Sequence, residues 1–317
     1  MRILITGVAG FIGFHLSLFL LKKNMNIFGV DNVNSYYDTK LKKDRLAQLK
    51  SFKNFKFCKT NIQDISFADN FREKKFDCLI NLAAQAGVRH SLKDPYTYIN
   101  SNILGQLNLL EFAKKHDVKK FIYASSSSVY GGNTNLPFST SHRVDNPVSL
   151  YAASKKSAEL VAECYSHLFE IQCIGLRFFT VYGPWGRPDM ATFIFTEKIL
   201  QDKTIEVFNH GQMERDFTYI DDIINGIFGT IEIKKKFKHK IYNLGNSKPE
   251  LLEDFIKIIE DNLDKKARKK YLPIQPGDVE KTYADINESQ NDLNFKPLTT
   301  IEQGIPRFIS WYKSYYC

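Results

Sequence analysis

Short, mostly apolar runs at positions 2–5, 26–30, 55–59, 77–82, 120–124 and 172–177 punctuate the first half of the chain, each closed by polar or glycine-containing residues. Runs of this length, rich in Ile, Val and Phe and bounded by turn signals, predict strands buried on both faces. Between them, apolar residues recur with helical spacing over 11–23, 94–115 and 149–169, and Asp94-Pro95 supplies a start signal for the second of these helices. Regular strand–helix alternation predicts an α/β chain with a doubly wound parallel sheet covered by helices on both faces. Beyond residue 177 the rhythm breaks into short strands near 205–208, 217–219 and 241–243 and helices near 190–201, 220–233, 250–263 and 299–315. The expected organisation is a domain over 1–177, with later segments of about 217–247 returning to it, and a smaller α/β domain over most of 178–317.

The first strand runs at once into Thr6-Gly7-Val8-Ala9-Gly10-Phe11-Ile12-Gly13 and then the apolar stretch from Leu16 to Leu21. Strand, glycine turn and helix in this order make a Rossmann-type dinucleotide site, because each glycine removes a different steric obstacle. Gly7 permits the tight turn, Gly10 allows the backbone to approach a pyrophosphate, and Gly13 lets the helix pack closely, with the phosphates at the helix N-terminus. The second strand ends in Asp31, where such folds hydrogen-bond the adenine ribose hydroxyls. A carboxylate there repels a 2′-phosphate, which favours NAD over NADP.

Composition narrows the classes further. With 43% hydrophobic and 14% aromatic residues in 317, the chain has the makeup of a folded globular protein. No basic-then-apolar leader precedes the first strand and no apolar run reaches the roughly 18 residues of a membrane span, so a cytoplasmic protein without membrane partners is expected. The net charge of +9 is spread along the chain, and the clusters at Lys42-Lys43, 234–236 and 265–270 are expected on solvated faces, so no nucleic-acid partner is expected. The five cysteines form no C-x-x-C pair and lie mostly in strand-like segments, and no His/Cys grouping has zinc spacing; reduced thiols and no metal are expected.

Tyr151 and Lys155 stand four residues apart within a helical stretch, which places a phenol and an ammonium one turn apart on one face. A free phenol, with a pKa of about 10, is a poor base at neutral pH, and a fixed neighbouring positive charge stabilises the phenolate. By itself the pair also fits an amphipathic surface helix. Its company decides the matter: the glycine turn, Asp31, Asn81-Leu82-Ala83-Ala84, the serines at 125–128 before Val129-Tyr130-Gly131, and Tyr151-x-x-x-Lys155 together resemble an extended short-chain dehydrogenase/reductase over the whole chain. Within that superfamily, four longer segments resemble the UDP-glucuronate 4-epimerases: Asp31 to Asp38, Ala83 to Arg89, Arg177 to Met190, and Arg215 to Asp222.

That resemblance implies NAD as a retained cofactor, contacted by Gly7, Gly10, Phe11, Ile12, Gly13, Asp31, Asn32, Asn61, Ile62, Leu82, Ala83, Ala84, Asn102, Tyr151 and Lys155. It implies a catalytic set of Tyr151, Lys155 and Ser126 acting at the sugar C4 oxygen, with Ser127 and Ser128 as further sugar contacts. The second domain becomes a substrate-binding lid, with Thr180 and Arg187 toward the C5 carboxylate, Thr192, Phe193, Val207 and Phe208 toward uridine, Arg215 toward the diphosphate, and Asp278 of Gln275-Pro276-Gly277-Asp278 toward its ribose. Alternatives stay open at individual positions: Arg187 also suits a loop pair with Asp189, and the apolar lid residues also suit a core. A homodimer built on the helices near 94–115 and 149–169 is implied as well. Ser127-Ser128 stands where dehydratases of this fold carry an Asp-Glu pair, which disfavours elimination. The competing activities are a UDP-hexose 4-epimerase, a UDP-glucuronate decarboxylase and a catalytically idle NAD-binding module.

Overall fold

The computed structural model describes residues 1–71, 75–275 and 278–317, so Pro276 and Gly277 of the segment before Asp278 lie outside the described residues. The chain forms two compact units, one of Met1–Asn133, Thr140–Phe178 and Ile227–Tyr242, the other of Thr134–Ser139, Phe179–Gly226 and Asn243–Cys317.

The first unit is built from β1 (Arg2–Thr6), α1 (Phe11–Lys22), β2 (Asn26–Asp31), α2 (Thr39–Lys50), β3 (Phe55–Lys59), β4 (Cys78–Asn81), α3 (Pro95–Tyr98), α4 (Gly105–Lys115), β5 (Lys120–Ser126), α5 (Leu150–Phe169) and β6 (Gln172–Phe178). The strands lie in the order β3-β2-β1-β4-β5-β6, with His239–Leu244 added beside β6 as the seventh. Pairing is parallel from β3 to β6, and Ile3 of β1 stands level with Ile27 on one side and Cys78 on the other. Winding reverses between β1 and β4, so the crevice where such sheets bind ligands opens at the carboxyl ends of these two strands. Ile3, Leu4 and Ile5 are fully buried, as a central strand requires. Leu4, Leu79, Leu109 and Phe121 share a core with a cluster of Phe67, Phe71, Phe76 and Phe112, whose ring centroids stand 5.3–6.1 Å apart. Each such ring contributes on the order of 1.5–3 kcal/mol by leaving water. Lys120 holds the returning segment, its Nζ donating to the carbonyls of Thr230, Ile231 and Ile233 (2.8–3.3 Å) at the end of helix Ile220–Glu232.

Three expectations change. The helix read as continuous over 94–115 is α3, a π-helical turn over Ile99–Leu104 and then α4. Asp94 caps the start through the N–H and hydroxyl of Thr97. The wider turn carries Asn102 inward, where it is almost fully buried on the backbone of Gln85. The stretch 250–263 begins as a strand, because Glu250–Leu251 pairs antiparallel with Glu214–Arg215 before helix Leu252–Leu263 starts. Lys42, expected on a solvated face, is only 5% exposed. It shares the inner face of α2 with Leu41, Arg45, Leu46 and Leu49, at helical spacing.

The second unit pairs Thr180–Tyr182 with Phe217–Tyr219 and Ile205–Phe208 with Lys269–Leu272, both parallel. Phe193, Phe308, Tyr312 and Tyr316 form an aromatic cluster joining helices Ala191–Leu200 and Ile301–Tyr316. Asp216 is the polar centre of this unit. Fully buried, it accepts from the N–H groups of Asn246, Ser247 and Ala284 and from the Thr218 hydroxyl at 2.5–3.1 Å. Burial pushes its carboxyl up to about 6 against the pull of these donors.

Candidate active site

The glycine turn shows why its residues cannot carry side chains. Gly7 has φ +75°, and a Cβ there would sit 2.7 Å from the Ala83 nitrogen, where the loop after β4 crosses the end of β1. A Cβ on Gly13 would meet the Gly7 carbonyl oxygen at 2.1 Å, and one on Gly10 at 3.0 Å. The turn and the first turn of α1 are therefore pressed together, leaving the opening N–H groups of Phe11, Ile12 and Gly13 without carbonyl partners inside the helix. Gly10 caps α1 without a side-chain bond and the first turn holds no acid, which suits a pyrophosphate. Thr6 completes the corner: its buried hydroxyl donates to Asn81 Oδ1 (2.7 Å) and accepts from Ala83 N–H (3.2 Å). Leu82, Ala83 and Ala84, the run expected to line the cofactor, are half-buried beside it. These features fit a dinucleotide.

At the end of β2, Asp31 accepts from Ala9 N–H (3.0 Å) and Val33 N–H (2.8 Å). Asn32 donates to Asn61 Oδ1 at 2.9 Å, while Ile62 turns its side chain into the core against Gly105. Asn102, expected as a cofactor contact, uses its amide on Gln85 N–H (2.8 Å), Gln85 C=O (3.0 Å) and the Ser154 hydroxyl (2.9 Å). Tyr98 fastens the next peptides, donating to the carbonyls of Ala86 (2.9 Å) and Gly87 (2.6 Å).

Ser149 caps α5 by accepting from Ala152 N–H (3.1 Å), which sets Tyr151 in the first turn and Lys155 one turn on. The Tyr151 ring meets Tyr98 edge-on at 6.0 Å, and Ser154 bonds the Tyr151 carbonyl at 2.8 Å. Lys155 is 5% exposed and donates to the Ala124 carbonyl of β5 at 3.0 Å. Burial pushes its ammonium down to about 8, still charged at neutral pH. Ser126 ends β5, its Oγ 3.1 Å from both the N–H and the Oγ of Ser128, so it caps the 3₁₀ turn Ser127–Tyr130. Sequence reasoning missed what holds this strand end. Ser125 donates to Glu159 Oε1 (2.6 Å), and Arg177 of β6 grips both oxygens of Glu159 (2.8 and 2.9 Å), with pair and serine all buried. Glu159 follows Lys155 by four residues, the one available signal.

The remaining candidates lie in the second unit. Thr180 opens its strand half-buried, bonded by its N–H to the Asp216 carbonyl (3.1 Å). Arg187 is paired with Asp189, Nε to Oδ1 at 3.0 Å and Nη2 to Oδ2 at 2.5 Å. Arg215 donates to the carbonyls of Glu214 (2.9 Å) and Glu280 (3.0 Å); burial lowers its pKa while the Asp278 charge opposes that. Phe208 is half-buried, whereas Thr192, Phe193 and Val207 are buried, and Phe193 and Val207 pack the unit's core.

Comparison with known proteins places these features in a family. The model of the NAD dependent epimerase/dehydratase family matches residues 3–245. The chain is 48% identical to Protein CapI of Staphylococcus aureus over 100% of this chain and 99% of that protein. It is 43% identical to UDP-glucuronate 4-epimerase 2 of Arabidopsis thaliana, covering 99% of this chain and 76% of the relative. Among solved structures, UDP-glucuronic acid 4-epimerase from Bacillus cereus, in complex with UDP-glucuronic acid and NAD, superposes with a TM-score of 0.94 at 34% identity over 100% of both chains.

Proposed function

The chain belongs to the NAD dependent epimerase/dehydratase family, and we propose from that premise that it interconverts UDP-glucuronate and UDP-galacturonate by inverting C4 through a transient 4-keto sugar. The observation that carries the reading is the Tyr151–Lys155 turn seated on β5, in a unit whose glycine turn fits a dinucleotide and in a chain that superposes over its full length on a UDP-glucuronic acid 4-epimerase solved with UDP-glucuronic acid and NAD.

Bound NAD supplies the hydride acceptor and donor at C4, so the overall reaction has no net redox change. The glycine turn holds its pyrophosphate, Asp31 its adenine ribose, and Lys155 its nicotinamide ribose. Tyr151 takes the proton from the sugar 4-hydroxyl, the charged Lys155 favouring its phenolate, and returns a proton when the opposite face is reduced. Ser126 bonds the reacting oxygen, with Ser127 and Ser128 on the neighbouring hydroxyls. In the second unit Arg215 and Asp278 take the nucleotide diphosphate and ribose, and Thr180 and Arg187 take the C5 carboxylate.

That carboxylate makes the 4-keto stage hazardous, since a β-keto acid loses carbon dioxide when the bond to its carboxylate aligns with the carbonyl π system. Thr180 and Arg187 hold the carboxylate out of that alignment. Incubation with UDP-glucuronate, UDP-glucose and UDP-N-acetylglucosamine, followed by product separation, tests the reading. UDP-galacturonate from the first alone is the expected result. Turnover of the neutral sugars only would establish a hexose epimerase, and turnover of none a binding module.

The working form is a homodimer in this reading. Tyr96 of α3 (78% exposed) and Leu160 and Leu168 of α5 (57% and 59%) leave apolar side chains in solvent on the helices expected to pair. Sedimentation equilibrium should give twice the chain mass. A cytoplasmic location follows the same reading; among the described residues no helix is long and apolar enough to cross a membrane.

A further inference from the structure

The segment carrying Thr180 and Arg187 packs on the C-terminal helix Ile301–Tyr316, within the second unit. Tyr182 donates to the Thr300 carbonyl at the start of that helix (3.2 Å). Pro184 and Trp185 then form a turn in which Trp185 has φ +59°. A turn with proline first and a positive φ second ordinarily takes glycine or asparagine in that place, because a large side chain crowds its own backbone there. Such a residue persists only where its surroundings over-determine it. Here the surroundings are aromatic. The Trp185 ring centroid stands 5.4 Å from that of Trp311 and 4.9 Å from that of Tyr315, edge-on to the latter, and these two rings lie nearly parallel at 5.6 Å. Phe308 backs Trp311 at 5.6 Å. Phe308, Trp311 and Tyr315 follow at steps of three and four, so one face of the helix presents all three rings. The Trp311 indole N–H has no acceptor among the described residues, which leaves packing as the work of this ring.

Arg187 follows Trp185 by two residues, and its bond to Asp189 is equally local. That pair orients the guanidinium within its own loop, whereas the indole ties the loop to the helix. We propose that Trp185 is a positioning residue for Arg187: clamped by Trp311 and Tyr315, the indole holds the turn in its strained form and so sets where the guanidinium meets the C5 carboxylate. This rests on the assignment of that carboxylate to Arg187. The C-terminal helix, which carries none of the residues assigned to the reaction, thereby governs product identity. Oxidation at C4 passes a hydride to NAD and the hydroxyl proton to Tyr151. A carboxylate held by Arg187 stays, and the hydride returns to C4. A carboxylate left free to align with the carbonyl departs as carbon dioxide; the electron pair of its bond to C5 enters the enolate, C5 takes a proton, and the 4-keto-pentose nucleotide leaves one NADH behind.

The test reads the partition between the two products. Wild type, Trp185→Gly, Trp185→Phe, Tyr315→Leu and Arg187→His are incubated with UDP-glucuronate and NAD, and UDP-galacturonate, carbon dioxide and NADH are measured together with the melting temperature and NAD occupancy of each protein. Trp185→Gly accepts the backbone conformation and loses the ring. It should release about tenfold more carbon dioxide and NADH per UDP-galacturonate than wild type, the order expected when a binding group is misplaced and not removed, with NAD occupancy unchanged. Trp185→Phe should restore most of the wild-type ratio, and Tyr315→Leu, which opens one wall of the clamp, should move it in the same direction as Trp185→Gly. A lower melting temperature for Trp185→Gly with the wild-type product ratio is the mark of packing alone and overturns the proposal, as does a Trp185→Phe protein no better than Trp185→Gly. Should Trp185→Gly fail to fold by circular dichroism, Trp185→Asn, whose short side chain tolerates a positive φ, and Tyr315→Leu make the same comparison. Arg187→His with the wild-type ratio overturns the carboxylate assignment itself, a result distinct from a shift in Arg187→His without one in Trp185→Gly.

Discussion

The two units each hold a paired arginine, in different ways. In the first unit Arg177 is buried, gripped by Glu159 from another element across eighteen residues of sequence, and Glu159 also takes the Ser125 hydroxyl. In the second unit Arg187 pairs with Asp189 two residues away, with 22% and 31% of the two side chains exposed. A buried pair cannot lose one partner without stranding a charge, whereas a partly exposed local pair contributes roughly 0–1 kcal/mol and exchanges partners cheaply. The contrast suits the two tasks. In the proposed reaction, proton and hydride chemistry at C4 would draw on the fixed atoms, and the substrate carboxylate on an arginine able to leave Asp189.

The largest expected effect tests the rigid side of that contrast. Arg177→Met should cost about 3–5 kcal/mol of stability by stranding Glu159, as read by urea unfolding, and Arg177→Met/Glu159→Leu should recover most of it. Arg187→Met should cost less than about 1 kcal/mol. Equal losses for the two arginines would erase the distinction. Next, Tyr151→Phe should lower turnover by about 10² or more while native mass spectrometry shows cofactor occupancy unchanged. Full activity in that variant would remove Tyr151 from the proton path.

On the exchangeable side, Thr180→Ala and Arg187→His should each lose epimerisation and release a larger fraction of product as a 4-keto-pentose nucleotide. The effect should be ten- to hundredfold, for about 1.5–3 kcal/mol of charged hydrogen bonding lost in a desolvated site. Chromatography of the products resolves it, and wild-type rate and product ratio in both variants would refute the carboxylate clamp.

The smallest effect is a pH dependence. Lys155 titrates near 8 in the folded protein, below its ordinary 10.5, so the unfolded chain binds more protons between those values. Its contribution to stability therefore rises with pH from about 8 toward 10.5, and its full burial cost is present below 8. Lys155→Met should melt higher than wild type at pH 7, with the difference shrinking by pH 9.5. A constant difference across that range would place the ammonium in a more solvated setting than the geometry shows. The ordinary ammonium form also falls away above pH 8, and turnover should decline with it.

Much of the fold was legible because its determinants are local. Glycines at 7, 10 and 13 follow an apolar strand, and the structure presses all three against one carbonyl or one crossing loop. The strand–helix alternation predicted the parallel sheet, and the four-residue step from Tyr151 to Lys155 placed both in consecutive turns of α5. Each of these follows from backbone geometry within a few residues, which a single chain displays openly.

What the tertiary structure alone decided lies at longer range. That Asn102 turns inward depends on a π turn and on partners 17 and 52 residues away, Gln85 and Ser154. That Lys42 and Arg45 are buried depends on the Asn34 loop and on Ala9, which a helix written on paper as lysine-rich does not reveal. The apolar spacing of Leu41, Leu46 and Leu49 marked the inner face of α2, yet a cation on such a face is ordinarily snorkelling to solvent. Only folding, by bringing carbonyl oxygens and the Tyr37 hydroxyl to the same place, offsets the cost of burying these cations.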